Sequence, residues 1–368
     1  MPNASSPGAG DQRDTPAIGG NTIVAARGLG ILAVVLGHVG SFYALPHMYH
    51  WHIPLFFFLV GSGLLVRHPL LATLRHVFVD IILYLWIWTV IYGLTLRLIE
   101  PAIPEANYRF AGEPWLRILS VDILTMNSHA IGFLAPCWFL LAYAAMTLIC
   151  TLLSRVLPAA SLAPIGVLAL VGGWQIGTPE GYSTGQWATV LTGQTLLATG
   201  YCLIGSAFFR SATVQRLALA PLAGALSLLM MLWLLSAFNP RMPNIAWMAL
   251  DPNILVSSLV TFAGIHLVIL LAHALAGWKQ LRLLGGQSKA IMTHHLLGFA
   301  ALNMAMVATG AMTIDGINSY SVAYPEIYWP AYLALGLLVP LAISSASTRL
   351  RKALTTLAPT MVKPKSPV

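Results

Sequence analysis

Charge is what this chain has least of. Only 8% of its 368 residues are Asp, Glu, Lys or Arg, and just 11 of them are acidic. With 58% hydrophobic residues and a mean hydropathy of +0.78, an ordinary soluble domain is excluded. Cysteine is nearly as scarce. Cys137, Cys150 and Cys202 lie in apolar stretches with no CxxC or Cys/His spacing, so neither a disulfide framework nor a thiolate metal site is expected, and the three read as packing residues. The formal charge of +8 is not gathered with aromatics on a soluble face, which excludes nucleic acid as a partner. No GxSxG elbow, phosphate-binding loop, HExxH or dinucleotide fingerprint occurs. Residues 1–20 lack the charged start, apolar stretch and small-residue cleavage site of a signal peptide, and they read as a disordered tail.

What the chain has is apolar runs long enough to cross a bilayer, which takes about 20 residues per helix. They fall near 23–44, 53–67, 77–99, 136–153, 158–174, 187–209, 217–238, 254–276, 284–309 and 330–347. The expected fold is therefore all-α, a polytopic membrane bundle of about ten transmembrane helices embedded among lipids. The membrane domain is expected over 21–347, followed by a basic tail over 348–368. With the N-terminus inside, the inner segments carry Arg13, Arg67, Arg75, Arg155, Arg210, Arg216, Lys279, Arg282, Arg349, Arg351, Lys352, Lys363 and Lys365, against Arg109, Arg117 and Arg241 outside. That asymmetry and the even count put both termini in the cytoplasm.

Two charged or chargeable groups interrupt the first span, in RGLGILAVVLGH over 27–38. Eleven residues advance a helix by about 16 Å and about three turns, so Arg27 near the surface and His38 deep in the span share a face. A neutral imidazole at that depth can accept a proton, which is what a general base does. The bland readings are an arginine snorkelling to the surface and a histidine bonded between helices. The next segment, HMYHWHIPLFFFLVGSG over 47–63, adds three histidines. No acidic residue or cysteine flanks them, so a metal site is not expected. His47 and His50 read as solvated loop residues and His52 as the functional candidate. Gly61 and Gly63 read as close-packing positions.

These motifs resemble the integral-membrane acyltransferase family 3, whose members typically modify sugars and cell-envelope glycans. PCWFL at 136–140 resembles its LWFL-type helix start, and LLGGQSKAIMTHHLLGF at 283–299 its late glycine-serine-to-histidine helix. The THHLLGF form is similar to the fucose 4-O-acetylase-like subgroup, with Met292 where many members have tyrosine. The resemblance runs from about 20 to 347. It implies functional roles for Arg27, His38 and His52, and for Ser288 and His295, which stand seven residues apart on one helical face. Of the tandem His294–His295, His295 is the functional candidate.

The expected activity is O-acetyl transfer in the inner membrane, from acetyl-CoA to a hydroxyl of a sugar or lipid-linked glycan. His38 is the expected base, with His52 or His295 positioning the acceptor or stabilising the oxyanion. Direct transfer is favoured over a transient acyl-histidine. Arg27, Arg67 and Arg75 are the candidates for the donor's phosphates, because guanidinium pairs bidentately with phosphate oxygens. Asp80 is a candidate partner for such a cation, and Lys289 reads first as a topology anchor. Trp138, at a membrane boundary, is a candidate for shaping the substrate cavity. The rival from another class is a transporter for a sugar or organic anion, which buried Arg and His would also suit.

Overall fold

The computed structural model describes residues 18–39, 47–65, 69–99, 132–183, 186–313 and 322–357. Among them there is no β-strand, and all ten apolar runs are helical. Helix α1 is Gly20–Val39, and α2 is Met48–Val60, extended by the 3-10 turn Gly61–Leu65. One continuous rod, α3, passes from Leu70–Arg75 through a π-helical His76–Leu83 into Tyr84–Ile99. After the 3-10 turn Gly132–Cys137 come α4 (Trp138–Val156), α5 (Ala159–Ile176) and α6 (Trp187–Arg210). The short α7 (Ala212–Ala218) leads to α8 (Pro221–Phe238) and α9 (Ile254–Ala274). The short α10 (Lys279–Gly286) leads to α11 (Ser288–Ala308) and α12 (Pro325–Leu357).

Eight of these segments are long and apolar enough to cross a membrane; α2 and α6 are not among the eight. The reason is local in each case. Helix α2 has only 13 residues before its backbone tightens at Gly61, and α6 carries buried Gln194, Thr195, Thr199 and Ser206. Both are buried within the bundle, away from lipid, where Gln194 reaches the carbonyls of Ile245 and Ala246. At the other extreme, α8 exposes Leu222, Leu226, Leu229 and Trp233 along its length, the composition of a lipid-facing rod. Helix α12 continues to Leu357, past the expected boundary at 347.

Glycines allow the close approaches that hold the site together. A Cβ on Gly285 of α10 would stand 1.8 Å from the Val24 carbonyl oxygen, and one on Gly28 2.2 Å from the Leu281 carbonyl oxygen. Backbones at that separation admit only glycine, and together the two positions dock α10 against α1. Gly61 does the same against α6, where a Cβ would meet the Ser206 nitrogen at 2.3 Å, whereas Gly63 has nothing within 4 Å.

Candidate active site

Three histidines reach the middle of the bundle in one shared posture. In each, Nδ1 faces a carbonyl one turn back on its own helix: His38 to Val34 at 2.8 Å, His52 to Met48 at 2.7 Å, and His295 to Ile291 at 2.9 Å. A carbonyl only accepts, so Nδ1 carries the hydrogen and Nε2 keeps its lone pair. The His38 and His295 rings meet edge-on with centroids 4.8 Å apart. His295 is fully buried, and its Nε2 has no partner among the described residues. Tyr49 packs edge-on against His52, at 5.0 Å, and donates its hydroxyl to the Gly37 carbonyl at 2.8 Å, tying α2 to the end of α1.

His38 and His52 line a cavity of about 500 Å³, with Tyr49, Trp138, Met292 and the loop 242–247 completing much of its wall. That volume is in the range of small-molecule sites. The loop is held in place by Gln194, buried in α6, which donates to the carbonyls of Ile245 at 3.2 Å and Ala246 at 3.0 Å. This wall comes from the bundle end where α1 finishes and α2, α4 and α9 begin.

A second cavity, about 210 Å³, opens toward the opposite end. Arg27, His76, Asp80, Tyr143, Ser288 and Lys289 line it. Arg27 is half-buried and makes no hydrogen bond or ion pair among the described residues. Lys289 lies 4.3 Å from the centroid of the Tyr84 ring and donates to the Asp80 carbonyl at 3.0 Å. Asp80 pairs with His76 at 2.9 Å rather than with an arginine. The π-helical turn carries these two residues to the cavity edge.

The structure thus brings together His38, His52, His295 and Trp138 on one side and Arg27 and Ser288 on the other. Ser288, Met292 and His295 run up one face of α11, the first in the second cavity and the last against His38. Arg75 is exposed and lines neither cavity. Arg67 lies outside the described residues, as do residues 1–17, the segment 100–131 and the tail beyond 357. His50 departs from expectation. It is fully buried rather than solvated, because α2 begins at Met48 and seats it against α9, where Thr261 donates to its carbonyl at 3.0 Å. His294 is bonded through both ring nitrogens, to the hydroxyls of Tyr84 at 2.9 Å and Tyr92 at 2.6 Å. Its partner in the tandem therefore faces His38 while His294 joins α11 to α3. Tyr49, Gln194 and the 242–247 loop were not singled out by sequence; a lone glutamine in an apolar span was the one available signal.

A family model described as an acyltransferase domain matches residues 22–349. The chain belongs to acyltransferase family 3. No curated protein matches it, and no solved structure does. The match covers both cavities and every helix from α1 into α12, so the membrane bundle is itself the acyltransferase domain. In this acyltransferase, no soluble unit separate from the bundle occurs among the described residues.

Proposed function

We propose that this membrane acyltransferase takes acetyl from acetyl-CoA and gives it to a hydroxyl of a sugar or cell-envelope glycan, with His38 as the general base. The observation that carries the reading is α1 itself. One helix presents an arginine without an ionic partner among the described residues to one cavity and an imidazole lone pair to another, about 16 Å further along. Arg27 offers its fork to the phosphates of coenzyme A, with Lys289 and Ser288 nearby, and the donor's extended arm lies along α1 toward His38.

The chemistry follows from the tautomers. His38 Nε2 takes the proton of the acceptor hydroxyl as its oxygen attacks the thioester carbonyl carbon. The C–S bond then breaks, and coenzyme A leaves as a thiolate that recovers the proton from the imidazolium. The products are an acetyl ester and coenzyme A, with His38 neutral again. Holding Nδ1–H on the Val34 carbonyl keeps the reactive nitrogen aimed into the cavity. His52 likewise presents a lone pair. A cavity offering two lone pairs suits a ligand with several hydroxyl donors, which supports a sugar, and it favours acceptor positioning over oxyanion stabilisation as the role of His52. His295 orients the His38 ring through their edge contact. The basic-residue asymmetry supports an inner-membrane orientation with Arg27 toward the cytoplasm.

Mass spectrometry of envelope glycans from deletion and complemented cells tests the reading. Wild-type complementation should restore an acetyl mass increment that His38→Gln does not, because glutamine keeps hydrogen bonding but takes no proton at neutral pH. Glycans identical in all strains would refute it.

A further inference from the structure

The two cavities have one residue in common, Met292. It is 2% exposed, one helical turn beyond Ser288 and three residues before His295, whose Nδ1 also lies 3.1 Å from the Met292 carbonyl. On one side of it stand Arg27, Phe139 and Tyr143, and on the other His38, Ile53 and Trp138. Met292 is thus the side chain at which the cavity of Arg27 and the cavity of His38 adjoin. Methionine is suited to such a place: it is unbranched with three rotatable bonds, so it can fill a gap and swing clear without moving the backbone. Its neighbours have no such freedom, since Phe139 is stacked on Phe57 with centroids 4.8 Å apart and His295 is held by its own helix.

We propose that Met292 is the movable partition between the donor and acceptor cavities and that its bulk restricts which acyl group can sit at His38. This rests on the donor and base assignments above. In the resting enzyme the side chain closes the passage. As the thioester arm enters, it folds aside, and the space it releases takes a two-carbon acyl group more readily than a longer one. Met292 is accordingly a specificity-determining residue, acting by volume rather than by chemistry.

The test uses membranes containing the full-length protein and the cell's own glycans, supplied with radiolabelled acetyl-CoA or butanoyl-CoA. Met292→Ala should raise the ratio of butanoyl to acetyl incorporation about tenfold or more, the scale on which pockets sort substrates by methylene groups. Binding of coenzyme A, titrated separately, should stay within about twofold of wild type, since a size partition contributes little to phosphate recognition. Met292→Leu, which conserves volume, should keep the wild-type ratio. Should Met292→Ala not insert, Met292→Val removes part of the same bulk and should shift the ratio in the same direction. An unchanged ratio in a correctly inserted truncation overturns the partition. Wild-type membranes that incorporate neither acyl group, and wild-type protein that binds no coenzyme A, would instead overturn the donor assignment.

Discussion

Arg27 and His38 show how one residue's role depends on what its neighbours withhold. Arg27 is half-buried and makes no ion pair among the described residues, and Asp80, which lines the same cavity, is engaged by His76. A cation kept in that condition costs desolvation that a bound anion would offset. Arg27→Ala should therefore weaken acetyl-CoA binding by about ten- to a hundredfold, the loss expected for one charge-assisted phosphate contact of about 1.5–3 kcal/mol. Arg27→Lys should recover only part of it, because a point-like ammonium cannot reproduce the fork. Calorimetric titration of the purified variants measures this, and equal affinities would remove Arg27 from the donor site. The shared face of Arg27 and His38 was legible from an eleven-residue spacing alone. What spacing could not show is the hydrogen on each Nδ1, which depends on local carbonyl geometry, nor the edge contact of His38 with His295, which joins residues far apart in sequence. His50 was misread for a related reason. Sequence gives polarity, but where α2 begins decides whether that polarity is solvated or seated against α9.

At the scale of the element, the apolar runs announced the helices, and their exceptions mark the site. Helix α6 reads as a span by length, yet its Gln194 is the peg for the 242–247 loop that walls the cavity of His38 and His52. The π-helical stretch of α3 was invisible to pattern reading, since a wider turn over eight residues that are apolar except for His76 and Asp80 leaves too few polar markers to reveal the change of period. It matters because it delivers His76 and Asp80 to the cavity lined by Arg27. Docking of α10 onto α1 is the contact most sensitive to a single added methyl. Gly285→Ala places a Cβ 1.8 Å from the Val24 carbonyl oxygen, backbone against backbone, with no side chain free to give way. The variant should lose about 2–3 kcal/mol and melt earlier in detergent. Gly286→Ala, one residue on with nothing within 4 Å, is the matched control. Equal melting temperatures for the two variants would contradict the close approach.

On the scale of the whole molecule, the bundle reads as two half-sites lying toward opposite ends of the helices and meeting around Met292. The cationic half holds Arg27 and Lys289, and the histidine half lies under the loop between α8 and α9. The overall architecture was legible because lipid demands long apolar helices. The separation into two cavities was not, because it depends on side chains from α1, α2, α4 and α11 converging in space. The central claim is that the donor enters from the Arg27 end and the acceptor from the other. Proteoliposomes of one orientation, checked by protease accessibility of the 242–247 loop, test it most directly, with glycan acceptor confined to the loop side and radiolabelled acetyl-CoA supplied to one side at a time. The account predicts acetylated acceptor when acetyl-CoA is on the Arg27 side and none when it is only on the loop side. Product formed only when donor and acceptor share the loop side would contradict it.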